Sequence, residues 1–346
     1  MDRTVYLHVG HGRCGSSSIQ TFADVQREAL AGRGVFYPSP LDMGFSREAA
    51  RAGNGRALVV SEDTDAAVAL YTEHIGATEA PRVLLSAEQF TTAEGGALEG
   101  LVTALREEGM RVVGIFYLRE QREWLVSRWA QGLKSHRWTV PLDDYVATHI
   151  AEGFEVPHLD YRPRCARLAE IFGAENLVLR RFTKVALRGG DVRLDLFELL
   201  GTDVSDLAAD EPTANASASI DEVVAMRILN GLPRGPMFNP RPFLRYAENY
   251  AGLQGWTRER QLYRLVRPER MRAIAEHYAP INEDLRVSAF PADTPSPLFP
   301  SSVPDEYEPL SEDEVVTTRS MTLVASFLTW YAERVLKRAT ATDTAG

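Results

Sequence analysis

Short apolar segments alternate with longer amphipathic segments over the first two hundred residues of the chain. Segments rich in β-branched and aromatic residues predict strands at 5–9, 35–37, 82–86, 111–118 and 177–181. Apolar residues at helical spacing predict helices at 18–30, 95–108, 121–134, 161–171 and 194–200, whereas 41–81 has no clear pattern. Strands that alternate with helices favour a parallel sheet covered on both faces.

The pattern changes after about Arg227, where arginines, prolines and aromatic residues replace the strand signals. From Arg227 to Arg272 there are ten arginines, three glutamates and neither lysine nor aspartate, which gives this segment a charge of +7. Residues 291–314 are rich in proline and acidic residues, and the spacing predicts a final helix at 312–337. The C-terminal portion is therefore predicted to be mostly helical.

The composition is that of a globular chain with enough apolar residues for a sizeable core. The 346 residues are 45% hydrophobic and 25% charged, and this length suits two domains or one large α/β domain. A net charge of −10 argues against a nucleic-acid partner, because phosphate backbones repel such a surface. Two cysteines cannot build a disulfide framework, and neither a secretory signal nor an 18-residue apolar run is apparent. We expect a cytoplasmic protein without a membrane span.

A glycine-rich loop follows the first predicted strand. Its sequence from Gly10 to Ser18, GHGRCGSSS, has the G-x-x-x-x-G spacing of a phosphate-binding loop at the start of a helix. Backbone N–H groups and the helix dipole favour an anion there. An enzyme that uses nucleoside triphosphates needs a lysine where Ser16 stands, and the cation here lies inside the loop, at Arg13. The alternative is a glycine-rich turn that binds no ligand.

A second candidate anion site lies after the fourth predicted strand. Arg119 is at the carboxyl end of that strand, and Ser127 lies eight residues later in the next predicted helix. A guanidinium and a hydroxyl at these positions can share a phosphate. Taken separately, Arg119 is a candidate surface ion-pair partner and Ser127 a candidate solvated helix residue.

Together the two sites resemble the sulfotransferases that use 3′-phosphoadenosine 5′-phosphosulfate (PAPS). Bacterial members carry H-x-G-x-x-K-T-G-T-T-S-x-Q, and residues 8–20, HVGHGRCGSSSIQ, match at most positions, with arginine for lysine and serine for threonine. The family's 3′-phosphate motif, an arginine followed eight residues later by a serine, corresponds to Arg119 and Ser127. The resemblance covers residues 4 to about 220. Further matches are Ser86-Ala87-Glu88 with S-S-E, residues 173–177 with a turn of the family, and residues 215–219 with N-x-S-x-S.

The resemblance implies an α/β fold: a three-layer P-loop-type sandwich with a central parallel sheet and a mostly helical C-terminal portion. Residues 1–220 would form the PAPS-binding core and 221–290 a helical segment rich in arginine and aromatic residues. Residues 291–346 would form a proline-rich acidic loop and a C-terminal helix packed on the core. The resemblance also implies PAPS as sulfuryl donor, 3′,5′-adenosine bisphosphate (PAP) as product, and a small molecule or glycan as acceptor.

The resemblance also assigns roles to individual residues. Backbone amides from Gly12 to Ser17 would hold the 5′-phosphosulfate, with a hydroxyl of Ser16 or Ser17 as a further donor. Arg13 would stabilise charge on the leaving oxygen. No metal is implied, and no His/Cys cluster has ligand spacing. The predicted donor-binding residues are Gly12, Arg13, Cys14, Gly15, Ser16, Ser17, Ser18, Arg119 and Ser127.

Two residues are candidates for the catalytic base. Glu88 follows a predicted strand at its carboxyl end, where open α/β sheets place their ligands. A carboxylate there can take a proton, and its alternative role is an ion pair that orients an arginine. His11, inside the loop, is the competitor, and its alternative is a solvent-exposed loop residue.

Other classes of function compete with sulfuryl transfer. The loop spacing is shared with nucleotide and small-molecule kinases, although the missing lysine at Ser16 argues against them. A non-catalytic adenosine bisphosphate-binding protein is a further alternative.

The basic segment 227–272 also has two interpretations. One is a helical region with a solvated basic face, paired with acidic neighbours such as 305–314. The other is a mobile lid over the transfer site that recognises an anionic or aromatic acceptor through Arg241 and Arg245.

Overall fold

The computed structural model describes residues 3–49, 53–91, 96–154, 158–210, 218–233 and 242–343. The strands are β1 (Thr4–Val9), β2 (Val35–Phe36), β3 (Arg82–Ala87), β4 (Arg111–Leu118) and β5 (Leu177–Arg181). The helices up to β5 are α1 (Ser16–Val25), α2 (Arg27–Gly32), α3 (Arg56–Val60), α4 (Thr64–Gly76), α5 (Ala97–Glu107), α6 (Gln121–Ser135), α7 (Leu142–Ala151) and α8 (Arg162–Phe172). After β5 come α9 (Val192–Leu199), α10 (Ser205–Asp210), α11 (Ile220–Gly231), α12 (Phe243–Leu253), α13 (Pro268–Ala289), α14 (Glu312–Val315) and α15 (Met321–Asp343).

The strands form one parallel sheet in the order β2-β3-β1-β4-β5. β1 is central, and its register pairs His8 with Ser86 of β3 and with Ile115 of β4. The carboxyl ends of these three strands therefore lie side by side at one edge of the sheet. The predicted parallel sheet is confirmed, and its topology brings the segments after β1, β3 and β4 together.

Helices cover both faces of the sheet. Along β4, Val112, Phe116 and Leu118 belong to one buried apolar cluster, and Val113 and Ile115 belong to another, because successive side chains of a strand point to opposite faces. The first cluster includes buried residues of α3, α4, α5 and α8, and the second includes buried residues of α1, α2, α9 and α10. The predicted three-layer sandwich is confirmed.

The segment without a clear hydrophobic pattern contains α3 and α4. Residues 66–70, AAVAL, place apolar side chains on every face of α4. The helical spacing of the buried residues Ala67, Tyr71 and Ile75 therefore does not stand out in the sequence. Asp63 caps this helix by accepting a hydrogen bond of 2.9 Å from the backbone N–H of Ala66. The helix predicted at 18–30 is also two helices, α1 and α2, separated at Gln26.

The chain divides into two compact units. The first comprises residues 1–120, 157–215 and 278–300 and holds the sheet. The second comprises residues 121–156, 216–277 and 301–346, and its described part contains helices without a sheet strand. The mostly helical C-terminal portion is confirmed, whereas the domain limits expected after residues 220 and 290 stay predictions. Among the helices that the structure describes, none is both long and apolar enough to cross a membrane.

Candidate functional site

The loop between β1 and α1 has an unusual backbone conformation. Arg13 and Gly15 have φ values of 73° and 80°, a region that non-glycine residues adopt rarely. The loop is fixed by hydrogen bonds from the N–H of Cys14 to the carbonyl of His11 (3.1 Å) and from the N–H of Gly10 to the carbonyl of Ala87 (2.9 Å). A positive φ at an arginine is the kind of strain that proteins retain at functional sites.

The first turn of α1 has a positive electrostatic character that favours an anion. No side chain caps the helix at Gly15, and its first turn contains no acidic residue. The first N–H groups of a helix have no partner within the helix, and the dipole adds partial positive charge there. Ser16 is buried and its hydroxyl donates to the carbonyl of His11 (3.4 Å), whereas Ser17 is exposed. Ser17 is therefore the better placed of the two hydroxyls to meet a ligand.

Glu88 packs against the glycines of the loop. A Cβ added at Gly10 would lie 2.9 Å from Oγ of Ser16 and 3.1 Å from Cα of Glu88, so only glycine fits at this close approach. A Cβ at Gly12 would lie 3.9 Å from Oε2 of Glu88. Glu88 follows β3 directly and is half-buried. The carboxylate predicted as the base is thus beside the glycine-rich loop between β1 and α1.

Arg119 is attached to the same loop. Its Nη1 donates a hydrogen bond of 2.8 Å to the backbone carbonyl of Arg13, and its own carbonyl accepts one of 2.7 Å from the hydroxyl of Tyr161. The Cζ atom of Arg119 lies 5.4 Å from the centre of the Phe182 ring, which follows β5. The hydrogen bond to Arg13 thus holds the Arg119 guanidinium beside the loop.

Charged side chains near Cys14 determine the electrostatic potential at the loop. Burial raises the pKa of the Cys14 thiol to about 12; the neighbouring Glu88 also raises this pKa, whereas Arg119 and Arg13 oppose the rise. Two cations and one carboxylate therefore surround the loop, which favours a bound anion. The thiol stays protonated near neutral pH and is not a nucleophile.

The two histidines near the loop are buried and neutral. Burial, together with the positive charges of Arg164 and His158, lowers the pKa of His11 to about 3. The ring of His11 makes edge contacts with Phe116 and Tyr161, at centroid distances of 5.9 and 5.5 Å. The alternative of a solvent-exposed loop residue is therefore wrong for His11.

His8 has a structural environment. Its Nδ1 is 2.8 Å from the hydroxyl oxygen of Ser86, which also accepts a bond of 3.1 Å from Gln20. Burial lowers the pKa of His8 to about 4. These contacts join β1, α1 and β3 at the edge of the sheet that carries the loop.

Most of the predicted site residues converge on this edge. The loop, Glu88 and Arg119 all belong to the first unit. Ser127 lies on α6 in the second unit, so its pairing with Arg119 stays a prediction. Of the segment compared with N-x-S-x-S, residues 215–217 lie outside the described residues, and Ser219 is the N-cap of α11.

Asn54 has a structural role that the sequence pattern did not predict. This buried side chain donates a hydrogen bond of 3.0 Å to the carbonyl of Leu84 and accepts one of 2.8 Å from the N–H of Ser86. The two bonds hold the segment before α3 against β3. Gly53 beside it has a φ of 105°, and a Cβ there would lie 2.1 Å from the carbonyl oxygen of Ser86. The Gly-Asn-Gly sequence at 53–55 was the available signal, because glycines on both sides permit such a close approach.

Comparisons with known proteins show a distant similarity to a solved structure. No protein-family model matches the chain, and no curated protein matches it. Among solved structures, the crystal structure of a sulfotransferase from Alicyclobacillus acidocaldarius is similar at 15% sequence identity and a TM-score of 0.37. The match covers 74% of this chain and 92% of that chain. At this distance the likeness carries no function, which depends on the site residues themselves.

Proposed function

We propose that the protein is a sulfotransferase that moves a sulfuryl group from PAPS to a hydroxyl or amine of a small-molecule or glycan acceptor. The observation that carries the proposal is the hydrogen bond from the Arg119 side chain to the backbone carbonyl of Arg13, beside the uncapped start of α1. Two guanidinium groups and a helix N-terminus suit a ligand with several separate anionic groups.

PAPS has such groups, and it supplies the activated sulfuryl group when bound. The backbone amides from Gly12 to Ser17 would hold the 5′-phosphosulfate at the start of α1. Arg119 would bind the 3′-phosphate, with Ser127 as the predicted second ligand. Ser16 occupies the position at which a kinase needs its lysine, so the loop suits this donor better than a nucleoside triphosphate.

Arg13 and Glu88 have complementary roles in the proposed transfer. As the bond between sulfur and the phosphate oxygen breaks, the guanidinium of Arg13 stabilises the charge on that oxygen. Arginine does not give up its proton near neutral pH, so this role is electrostatic. Glu88 accepts the proton of the acceptor group as it bonds to sulfur. His11 is the weaker candidate, because its ring is buried and packed against Phe116 and Tyr161.

The enzymatic proposal is tested by turnover. The purified protein is incubated with radiolabelled PAPS and fractionated metabolite extracts, and the label is followed from donor to product. Transfer that requires PAPS and yields PAP supports the proposal. Binding of PAPS without transfer to any acceptor would favour the non-catalytic alternative.

PAP is expected to stabilise the protein against heat without added metal, and ATP to do so much less. The reason is that PAP has the 3′-phosphate expected at Arg119, whereas ATP does not. At about 100 times its dissociation constant, PAP should add about 2.7 kcal/mol to the free energy of unfolding. Thermal unfolding with each nucleotide, with and without chelator, measures this. Equal stabilisation by ATP that is lost on chelation would favour a kinase.

Replacing Arg119 by Ala is expected to weaken PAP binding by about 1.5–3 kcal/mol, the contribution of a hydrogen bond to a charged group. Adenosine 5′-monophosphate, which lacks the 3′-phosphate, should lose much less affinity. Titration calorimetry measures both, with Arg111→Ala as control, because Arg111 is exposed at the other end of β4. Equal losses for the two nucleotides would mean that Arg119 acts by holding the loop at Arg13 and not on the 3′-phosphate.

A further inference from the structure

Most arginines of the basic segment 227–272 are neutralised within the second unit. Six of them, Arg227, Arg258, Arg264, Arg267, Arg270 and Arg272, form salt bridges with acidic residues. Partners from the acidic stretch include Glu306 for Arg272 and Glu312 for Arg227. The pairing expected with neighbours around 305–314 is therefore present for part of the segment. Arg234 and Arg241, which was predicted to act in a lid, lie outside the described residues.

Arg245 differs from the paired arginines. Within the part of the chain that the structure describes, no carboxylate lies within salt-bridge distance of Arg245 or of Arg334 on α15. Glu248, one turn from Arg245 on α12, is bound by Arg258 instead. Neither guanidinium group therefore forms a salt bridge with an acidic residue that the structure describes.

Both arginines line a cavity between α12 and α15. The cavity has a volume of about 760 Å³, which is in the range of small-molecule sites. None of its described lining residues is acidic. Arg245 is in the first turn of α12, where no side chain caps the helix, so the helix dipole adds to the positive potential.

The walls of this cavity are aromatic and packed in place. Tyr246 lies 5.2 Å from Trp330 and 5.9 Å from Tyr250 between ring centres. Behind them, Phe243 and Phe327 are fully buried and in edge contact at 5.2 Å. The half-buried rings of the wall thus rest on a closed core, and they offer planar apolar surface to a ligand.

We propose that this cavity, between the Arg245 and Arg334 guanidinium groups and the Tyr246–Trp330 wall, binds a planar aromatic carboxylate. The carboxylate meets the two guanidinium groups, since arginine pairs with planar anions in a fork geometry. The aromatic body stacks against the wall. Arg334 already lies over the Trp330 ring, with its Cζ 5.3 Å from the ring centre, so cation and aromatic surface are adjacent. The site does not depend on the proposed sulfuryl transfer and is tested without any donor.

The test uses 2-naphthoate as the probe and its neutral amide, 2-naphthamide, as the uncharged control ligand. Wild-type protein is titrated with each by calorimetry, and tryptophan emission is followed in parallel. We expect one 2-naphthoate per chain and markedly weaker binding of 2-naphthamide. In the double variant Arg245→Gln/Arg334→Gln, affinity for 2-naphthoate should fall about 10- to 100-fold, as expected for lost charged hydrogen bonds. Affinity for 2-naphthamide should stay unchanged.

Arg260→Gln is the matched control. Arg260 is an exposed arginine of the same unit, is not among the cavity's lining residues and has no described carboxylate partner. It should bind 2-naphthoate as the wild type does. Trp330→Phe keeps a ring on the wall and should remove most of the emission change. The proposal would be overturned if the double variant bound 2-naphthoate as tightly as the wild type does. It would also be overturned if Arg260→Gln lost as much affinity as the double variant, or if excess PAP displaced the probe. Self-association in sedimentation that is abolished by the double variant would likewise overturn it, since a second copy would then occupy the cavity.

Discussion

Replacing Glu88 by Gln is expected to lower kcat by on the order of 10²–10⁴-fold, the usual contribution of a general base. Glutamine has the same shape, so the close packing of this side chain on Gly10 and Gly12 is retained. The variant should bind PAP like the wild type, because the loop amides and Arg119 are untouched. Steady-state kinetics with a saturating acceptor and PAP calorimetry measure the two effects separately.

Glu88→Asp is the informative companion variant. It keeps the carboxylate but withdraws it by one methylene, so it should retain more activity than Glu88→Gln. Wild-type kcat in Glu88→Gln would remove this residue as the base and leave His11 as the candidate. Loss of PAP affinity together with kcat would instead mean that Glu88 orients an arginine of the loop.

Replacing Arg13 by Asn is expected to lower kcat by on the order of 10²–10³-fold, the effect of removing a preorganised group that stabilises transition-state charge. Asparagine is the appropriate substitute because it tolerates the φ of 73° better than alanine does, so the charge is removed with less backbone strain. The bond from Arg119 is to the backbone carbonyl at position 13 and survives the change. Kinetics at saturating PAPS, with thermal unfolding as a check on folding, measure the effect.

The variant Arg13→Lys distinguishes the effect of the positive charge at position 13 from the effect of the planar guanidinium shape. It keeps a cation inside the loop and should retain most of the activity lost in Arg13→Asn. If both variants lose activity equally, the planar guanidinium and not its charge is required. Unchanged kcat in Arg13→Asn would contradict the proposed role of this side chain.

The strands were predictable because the sheet is buried on both faces. β4 has the bounds that its apolar run predicts, since a parallel strand covered by helices needs continuous apolar residues. The strand order and the helix α4 were not predictable from the same pattern. Strand order depends on contacts between distant segments, and the apolar run of α4 hides its period.

The candidate site was predictable where its signal is local. The spacing from Gly10 to Ser18 indicated a glycine-rich turn into a helix, and the structure contains that turn. Anion binding at this turn stays a prediction. The environment of His11 was not predictable, because Phe116 and Tyr161 reach its ring from distant parts of the chain. The same holds for Asn54, whose partners are backbone groups of β3.

The fully buried thiol of Cys14 allows opening of the loop between β1 and α1 to be followed by chemical labelling. An alkylating reagent reacts with the thiolate, so it reaches Cys14 only when the loop opens. Cys165, buried on α8 with its pKa also raised to about 12 by burial, is an internal reference in the same unit. The ratio of their labelling rates, read by mass spectrometry of two peptides, therefore reports the free energy of opening of the loop relative to that of α8.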